Sequence, residues 1–312
     1  MPVSNFIICR ISREKKKDRD SMLRRMLKKI FQIVGINPSD LIQKISKWSV
    51  SHSVRENKFV ELIERLRQIA PDISRQELTA MSGFNDYWEL KRRALQAFQC
   101  AMMLKSLEPL TVKNLTVVDI GDSAGTHMLY LKELTKEKFD IDTIGVNLDS
   151  AAIEKIKAKG QKAVLCRAED LDLGDKKVDL FTSFQMVEHL HNPAIFFRRL
   201  AKRSPCNKIV LTVPYMKSSR VGLHNIRNKV NKSVIAEEEH IFELNPEDWS
   251  LLFLHSGWKV TYSQIYYQYP RKIPIVNTIL EWFWRKTDFE GFWGVILEKD
   301  TTFSDCYQDW ED

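Results

Sequence analysis

The sequence predicts an α/β fold: a doubly wound, mostly parallel seven-stranded sheet with an antiparallel edge strand, preceded by a basic helical extension. Two observations carry this. From residue 114 onward, short apolar runs alternate with segments of helical periodicity, which implies parallel strands covered by helices on both faces. Before residue 114 the apolar residues recur at helical spacing. The 312 residues, 44% hydrophobic and 29% charged, are enough to bury a substantial core. Eleven glycines and ten prolines are too few for a collagen-like or disordered chain. No run approaches the roughly 18 apolar residues of a membrane-spanning helix.

The elements follow in order. Met22, Leu23, Met26, Leu27, Ile30, Phe31 and Val34 recur at helical spacing, with Arg24, Arg25, Lys28 and Lys29 between them. They predict an amphipathic cationic helix ending near Gly35. Residues 39–70 read as helical between Pro38 and Pro71. Ser74 and Glu77 have capping-box spacing and open a short helix. Residues 86–107 read as one long helix, with Tyr87, Trp88, Leu90, Ala94, Leu95, Phe98, Met102 and Leu104 on one broad apolar face. Strands are expected at 115–120, 142–148, 163–166, 178–184, 208–213, 258–266 and 292–298. Helices are expected up to about Lys138 and at 150–159, 193–202 and 246–255. The last two strands are consecutive and predict an antiparallel edge pair. The domain division is then a helical extension over 1–84, a core over 85–300 with insertions at 214–240 and 267–291, and an acidic tail over 301–312.

The net charge of +7 is unevenly placed. Residues 1–80 hold 17 Lys/Arg against 9 Asp/Glu, and the remainder hold 31 against 32. Such asymmetry marks contact with nucleic acid or a membrane surface, or a solvated basic face on a helix docked against its own core. Five scattered cysteines without a CxxC argue against a disulfide framework or a structural zinc site, and no metal ligand set is expected. The apolar run Phe6–Cys9 is too short for a secretory signal. The setting expected is cytoplasmic, with peripheral membrane contact through the N-terminal helix as the variant.

The chemistry sits in Val117–Gly125, a strand, an acidic residue, a glycine turn and a helix start. It is not G-x-G-x-x-G and lacks the Gly-Lys-Ser/Thr of a P-loop. Gly121 lets backbone approach a ligand closely. Asp119 stands at the carboxyl end of its strand, where ligands of such sheets bind.

At these residues the chain resembles the class I S-adenosylmethionine-dependent methyltransferases. Asp119, Gly121, Ser123 and Gly125 stand where that family has an acidic residue and G-x-G-x-G, with Ser123 replacing the middle glycine. Asn147 stands where the family has an acidic residue for the ribose hydroxyls. Cys166–Leu171 is similar to the adenine-side segment, with Arg167 in place of Asp. Val178–Leu190, ending Glu188-His189-Leu190, is the strongest local match, and His240–Leu244 with Gly257-Trp258 continues it. The resemblance covers about 115–298. It implies a Rossmann-like methyltransferase fold, S-adenosylmethionine as cofactor, and a cofactor site made by Asp119, Gly121, Asp122, Ser123, Ala124, Gly125, Asn147, Leu148, Ala168, Glu169, Gln185 and Met186.

Methyl transfer from a sulfonium is a direct displacement that chiefly requires alignment. A general base serves when the acceptor must lose a proton early, and His189, His240, Glu188 and Tyr215 are the candidates. The loops 214–240 and 267–291 belong to the acceptor side. The second mixes aromatic residues with Arg271, Lys272, Arg285 and Lys286, which suits a membrane interface, a glycan or an ordinary core. No D/N-P-P-Y/F follows the fourth strand, so nucleic acid is the lesser expectation. The resemblance implies O-methylation of a small-molecule, sugar or lipid-linked acceptor. A decayed scaffold that binds a partner, and an RNA methyltransferase, are the alternatives.

Overall fold

A computed structural model of the protein describes residues 37–76, 84–231, 233–235 and 239–307. The cationic helix expected before Gly35, the residue Glu77 and the end of the expected acidic tail lie outside the described residues. The chain divides into two compact units, Met1–Trp48 and Ser49–Asp312. Of the first, residues 37–48 are described, as the opening turns of α1 (Pro38–Glu56). The second unit carries the sheet and the helices that cover it.

The helix expected over 39–70 is two helices, because the chain turns after Glu56, with Lys58 at φ 59°, before α2 (Val60–Ile69). Ser74 lies in a 3-10 turn, Ile73–Arg75, and its hydroxyl donates to the Asp72 carboxylate at 2.6 Å, while the short helix expected to open there lies outside the described residues. Helix α3 (Asp86–Leu107) has the expected bounds, and Asn85 caps it by accepting from the amides of Tyr87 and Trp88 at 3.1 and 3.3 Å. Arg93 of α3 is fully buried and ties three helices together. It donates to the carbonyls of Leu66, Ala70 and Pro71 at the end of α2, and to the hydroxyl of Tyr130.

Then comes the alternation. It runs β1 (Asn114–Ile120), α4 (Thr126–Thr135), β2 (Asp140–Asn147), α5 (Ser150–Ala158), β3 (Lys162–Leu165), β4 (Leu180–Phe184), α6 (Pro193–Arg203) and β5 (Lys208–Pro214). The loop after β5 holds a small hairpin, β6 (Arg220–Val221) and β7 (Phe242–Glu243), with the one-turn α7 (His224–Arg227) between them. It is followed by α8 (Pro246–His255), β8 (Trp258–Tyr267), α9 (Pro274–Thr287) and β9 (Gly291–Lys299).

The seven-stranded sheet has the order β3-β2-β1-β4-β5-β9-β8. Strands β1 to β5 pair in parallel, and β9 is antiparallel to both of its neighbours, so β8 and β9 form the expected antiparallel pair at that edge. Every residue of β4 and nearly all of β5 are buried, as a strand covered on both faces requires. An aromatic core joins α6, α8 and the antiparallel pair. Phe197 packs edge-on to Phe253 at 4.9 Å, Phe253 stacks on Trp293 at 6.3 Å, and the Trp258 indole donates to the Phe197 carbonyl at 2.8 Å. This rigid layer leaves the carboxyl ends of β1, β2 and β4 side by side, because the strand order reverses direction between β1 and β4.

Candidate functional site

The turn after β1 is built against β2. The amides of Gly121 and Asp122 donate to the Val146 carbonyl at 2.8 and 3.2 Å. Gly121 has φ 88°, and a Cβ there would lie 2.4 Å from Cγ of Met186, the residue that follows Gln185 beyond β4. Only glycine permits both the left-handed backbone and the seat of Met186 upon it. Asp122 turns inward and accepts from the amides of Ala124 and Gly125 at 3.1 and 2.6 Å. Asn147 is buried and donates to the Asp122 carbonyl at 3.1 Å while accepting from the Asp149 amide at 2.8 Å. Asp149 caps α5.

Asp119 and Asp122 are 1% and 4% exposed. One oxygen of Asp119 accepts from the Thr182 hydroxyl at 2.7 Å, and the other, Oδ2, meets no donor among the described residues. Oδ2 of Asp122 meets none among them either. Burial, and then the neighbouring Asp122 charge, raise the Asp119 carboxyl well above its ordinary range, against the Thr182 hydrogen bond. Burial raises Asp122 as well, against its hydrogen bonds from Gly125 and Ala124. Two buried carboxyl groups, each with an oxygen that no donor among the described residues meets, suit a ligand that carries positive charge and hydrogen-bond donors.

Across from them, Gln185 adopts φ 54°, an uncommon conformation for a residue with a side chain. It is held there by its amide donating to the Thr212 carbonyl at 2.9 Å and its side chain donating to the Thr212 hydroxyl at 3.0 Å. Residues missed from the sequence complete this wall. Gln99 of α3 donates to the same Thr212 hydroxyl at 3.1 Å and meets the His127 ring at 2.8 Å. Burial pushes His127 down to about 4. Gln161 donates to the Gly125 carbonyl at 2.7 Å, and Thr126 donates to Gln76 at 3.0 Å. Their only sequence signal was a polar residue inside an otherwise apolar or helical stretch. Leu148 is 60% exposed beside this turn, and Ala168 and Glu169 form a 3-10 turn after β3, with the Glu169 carbonyl held by Arg199 at 2.6 Å. Arg167 lies 3.7 Å from Glu169.

Beyond Met186, a 3-10 turn carries Glu188 and His189. The Ile241 amide donates to the Glu188 carbonyl at 2.8 Å and so brings His240 alongside. Gly222 completes the approach: its amide donates to the Ile241 carbonyl, and a Cβ there would lie 2.3 Å from the His240 carbonyl oxygen. The rings of His189 and His240 meet edge to face at 4.7 Å, and Phe289 stacks on His240 at 5.5 Å. Glu188 is 1% exposed, and neither carboxylate oxygen has a hydrogen-bond partner among the described residues. Burial pushes Glu188 up to about 7, opposed by the His240 charge. Burial also lowers His240, but contact with Glu243 and the charges of Glu188, Glu243 and Glu239 outweigh it and raise it. Glu243 is buried yet held down to about 2 by His240 and Arg220. Three of the four residues expected to act as bases are thus one cluster. The fourth, Tyr215, packs edge-on against Tyr267 at 5.5 Å.

Residues 118–203 match the family described as a methyltransferase domain. That domain holds β4, the glycine turn and the Glu188-His189 turn, and the sheet around it has the Rossmann-like methyltransferase order with a single antiparallel strand. A comparison with curated proteins finds no match. Solved structures are similar at low identity. The 1,6-didemethyltoxoflavin-N1-methyltransferase of Burkholderia thailandensis, solved with 1,6-didemethyltoxoflavin and S-adenosylhomocysteine, aligns at 14% identity over 79% of this chain and 88% of its own, with TM-score 0.47. The O-methyltransferase of a Brevibacillus brevis trans-AT PKS multienzyme, in complex with S-adenosylhomocysteine, aligns at 13% over 69% and 75%, with TM-score 0.47. A geranyl diphosphate methyltransferase in complex with S-adenosylmethionine aligns at 12% over 70% and 92%, with TM-score 0.49.

Proposed function

We propose that this protein transfers the methyl group of S-adenosylmethionine to an oxygen of a small-molecule, sugar or lipid-linked acceptor. The observation that carries this reading is the buried pair Asp119 and Asp122 at the end of β1, each with an oxygen that no donor among the described residues meets, within the segment that matches a methyltransferase domain. Such a crevice fits a cofactor with an ammonium group, a sulfonium and ribose hydroxyls. Asp119 and Asp122 would accept from its donors, and the Gly121 turn and Met186 would let backbone and thioether lie against it. When bound, the cofactor supplies a methyl group already activated by the sulfonium. The protein's part is to align the acceptor and, where it must lose a proton, to take it; the mutual proximity of Glu188, His189 and His240 supports them as the groups that would receive it.

Among the acceptors, a lipid-linked one is favoured by α9. Ile275, Ile279 and Trp282 are 78%, 61% and 65% exposed and share one helix face. Lys272 and Lys286 flank them, a composition that suits an anionic membrane surface. Lys217 pairs with Glu281 at 3.9 Å, and Phe289 just past α9 stacks on His240, so this face adjoins the proposed acceptor side.

Calorimetric titration of S-adenosylmethionine and its demethylated product into the full chain tests the reading. Binding in the micromolar range is expected, weakened at least about tenfold by Asp119→Ala, the loss of one hydrogen bond to a charged group. A folded chain that takes up neither compound overturns it.

A further inference from the structure

The Glu188–His189–His240 cluster has the composition of a metal centre as well as that of a base. One carboxylate oxygen of Glu188 and one ring nitrogen from each histidine lie within 4.8 Å of one another. Donors to a shared ion at about 2.1 Å in tetrahedral geometry stand about 3.4 Å apart, so closure requires side-chain movement of up to about 1.4 Å. Each ring has an acceptor beside its Nδ1. Nδ1 of His189 lies 3.1 Å from the Glu239 carbonyl, which accepts and so fixes the proton on that nitrogen. Nδ1 of His240 lies 3.4 Å from the Glu243 carboxylate. A proton on Nδ1 of His189 leaves the lone pair of that imidazole on Nε2. A backbone carbonyl so placed is one of the ways in which metal-binding imidazoles are oriented, and at His240 the Glu243 carboxylate is in ion-pair contact without a hydrogen bond. Glu188 supplies the independent observation. It is 1% exposed, and among the described residues neither of its oxygens meets a hydrogen-bond donor, a costly state for a carboxylate without a cation. Glu243 does not fill that need, because it is itself an anion paired with Arg220.

We infer that Glu188, His189 and His240 form a binding site for one divalent first-row transition-metal ion. Two imidazole nitrogens and one carboxylate suit zinc, cobalt, manganese or iron rather than calcium or magnesium, which take oxygen ligands. Three protein donors leave coordination positions for water or for an acceptor oxygen. The site follows the Met186 turn at the carboxyl end of β4, so an oxygen bound there would stand on the acceptor side of the crevice. The inference does not depend on the methyl-transfer reading.

The test uses the untagged full chain, stripped with a chelator and titrated with Co2+. One ion per chain is expected, with visible d–d absorption that one equivalent of Zn2+ removes. His240→Ala and Glu188→Gln should each weaken Co2+ binding about 100-fold. Thermal unfolding and S-adenosylhomocysteine titration report whether each variant is folded. If a variant fails to fold, the stoichiometry and spectrum of the wild-type chain decide. A wild-type chain that takes up no Co2+, or takes it up as His240→Ala does, overturns the inference. Loss of S-adenosylhomocysteine binding with intact Co2+ uptake counts against the methyl-transfer reading alone.

Discussion

Gly121 shows how much one residue carries. Its φ of 88° is left-handed, which costs roughly 1–2 kcal/mol for a residue with a Cβ. That Cβ would also meet Met186 at 2.4 Å, in a turn whose amides are already committed to Val146. Gly121→Ala is therefore expected to destabilise the chain by about 2 kcal/mol or more. It should also displace Met186 from the crevice. Urea unfolding and cofactor titration together check this, and a variant as stable as the parent would show that the turn relaxes freely. The pair at Asp119 and Asp122 was partly legible at this scale. The position of Asp119 was readable from strand, acid and glycine. That Asp122 turns inward to hold the amides of Ala124 and Gly125 was not, because the spacing of a loop does not say which way a side chain points.

At the scale of elements, α9 separates two functions that composition had mixed. Its aromatic and basic residues suit a membrane interface, a glycan or an ordinary core, and the helix divides them: Leu280 and Trp284 are buried, and the Trp284 indole donates to Ser49 at 2.9 Å. Ile275, Ile279 and Trp282 face outward. Replacing these three by Glu is expected to abolish sedimentation with anionic vesicles while leaving the unfolding midpoint near that of the parent, since exposed positions contribute little to stability. Unchanged sedimentation would remove α9 from any membrane contact. No helix among the described residues is long and apolar enough to cross a membrane. The break between α1 and α2 belongs to this scale too. No proline or glycine stands at residues 57–59, and only the packed structure shows the chain turning there.

For the whole molecule, the site is a place where stability is lost for the sake of binding. The folded pKa of Asp119 lies above its ordinary value of 3.8, so the folded chain binds that proton more tightly than the unfolded one. The ionised carboxylate therefore destabilises the fold at neutral pH, and the penalty vanishes once both states are protonated, below pH 3.8. Asp119→Asn is expected to raise the melting temperature at pH 7, with the gain shrinking toward zero near pH 4, and to weaken cofactor binding at the same time. A variant that melts below the parent at pH 7 would show that the carboxylate is stabilised by its surroundings. Net charge acts at this scale as well, because the excess of basic residues lies in the first 80 residues, while the rest of the chain is close to neutral.

The sequence by itself determined the alternation of strands and helices, the long helix over 86–107, the antiparallel pair and the acid–glycine turn. These are local: periodicity, capping residues and turn chemistry act over a few neighbours. It also named Glu188, His189 and His240 singly. Only the tertiary structure decided that they meet. Fifty residues separate His189 from His240, and the amide of Ile241 and the bare backbone of Gly222 bring them together. It likewise decided that Gln99 and His127 wall the crevice and that α9 has an outward apolar face. Each depends on which element packs against which, and that is set by the burial of the whole core rather than by any short stretch of chain.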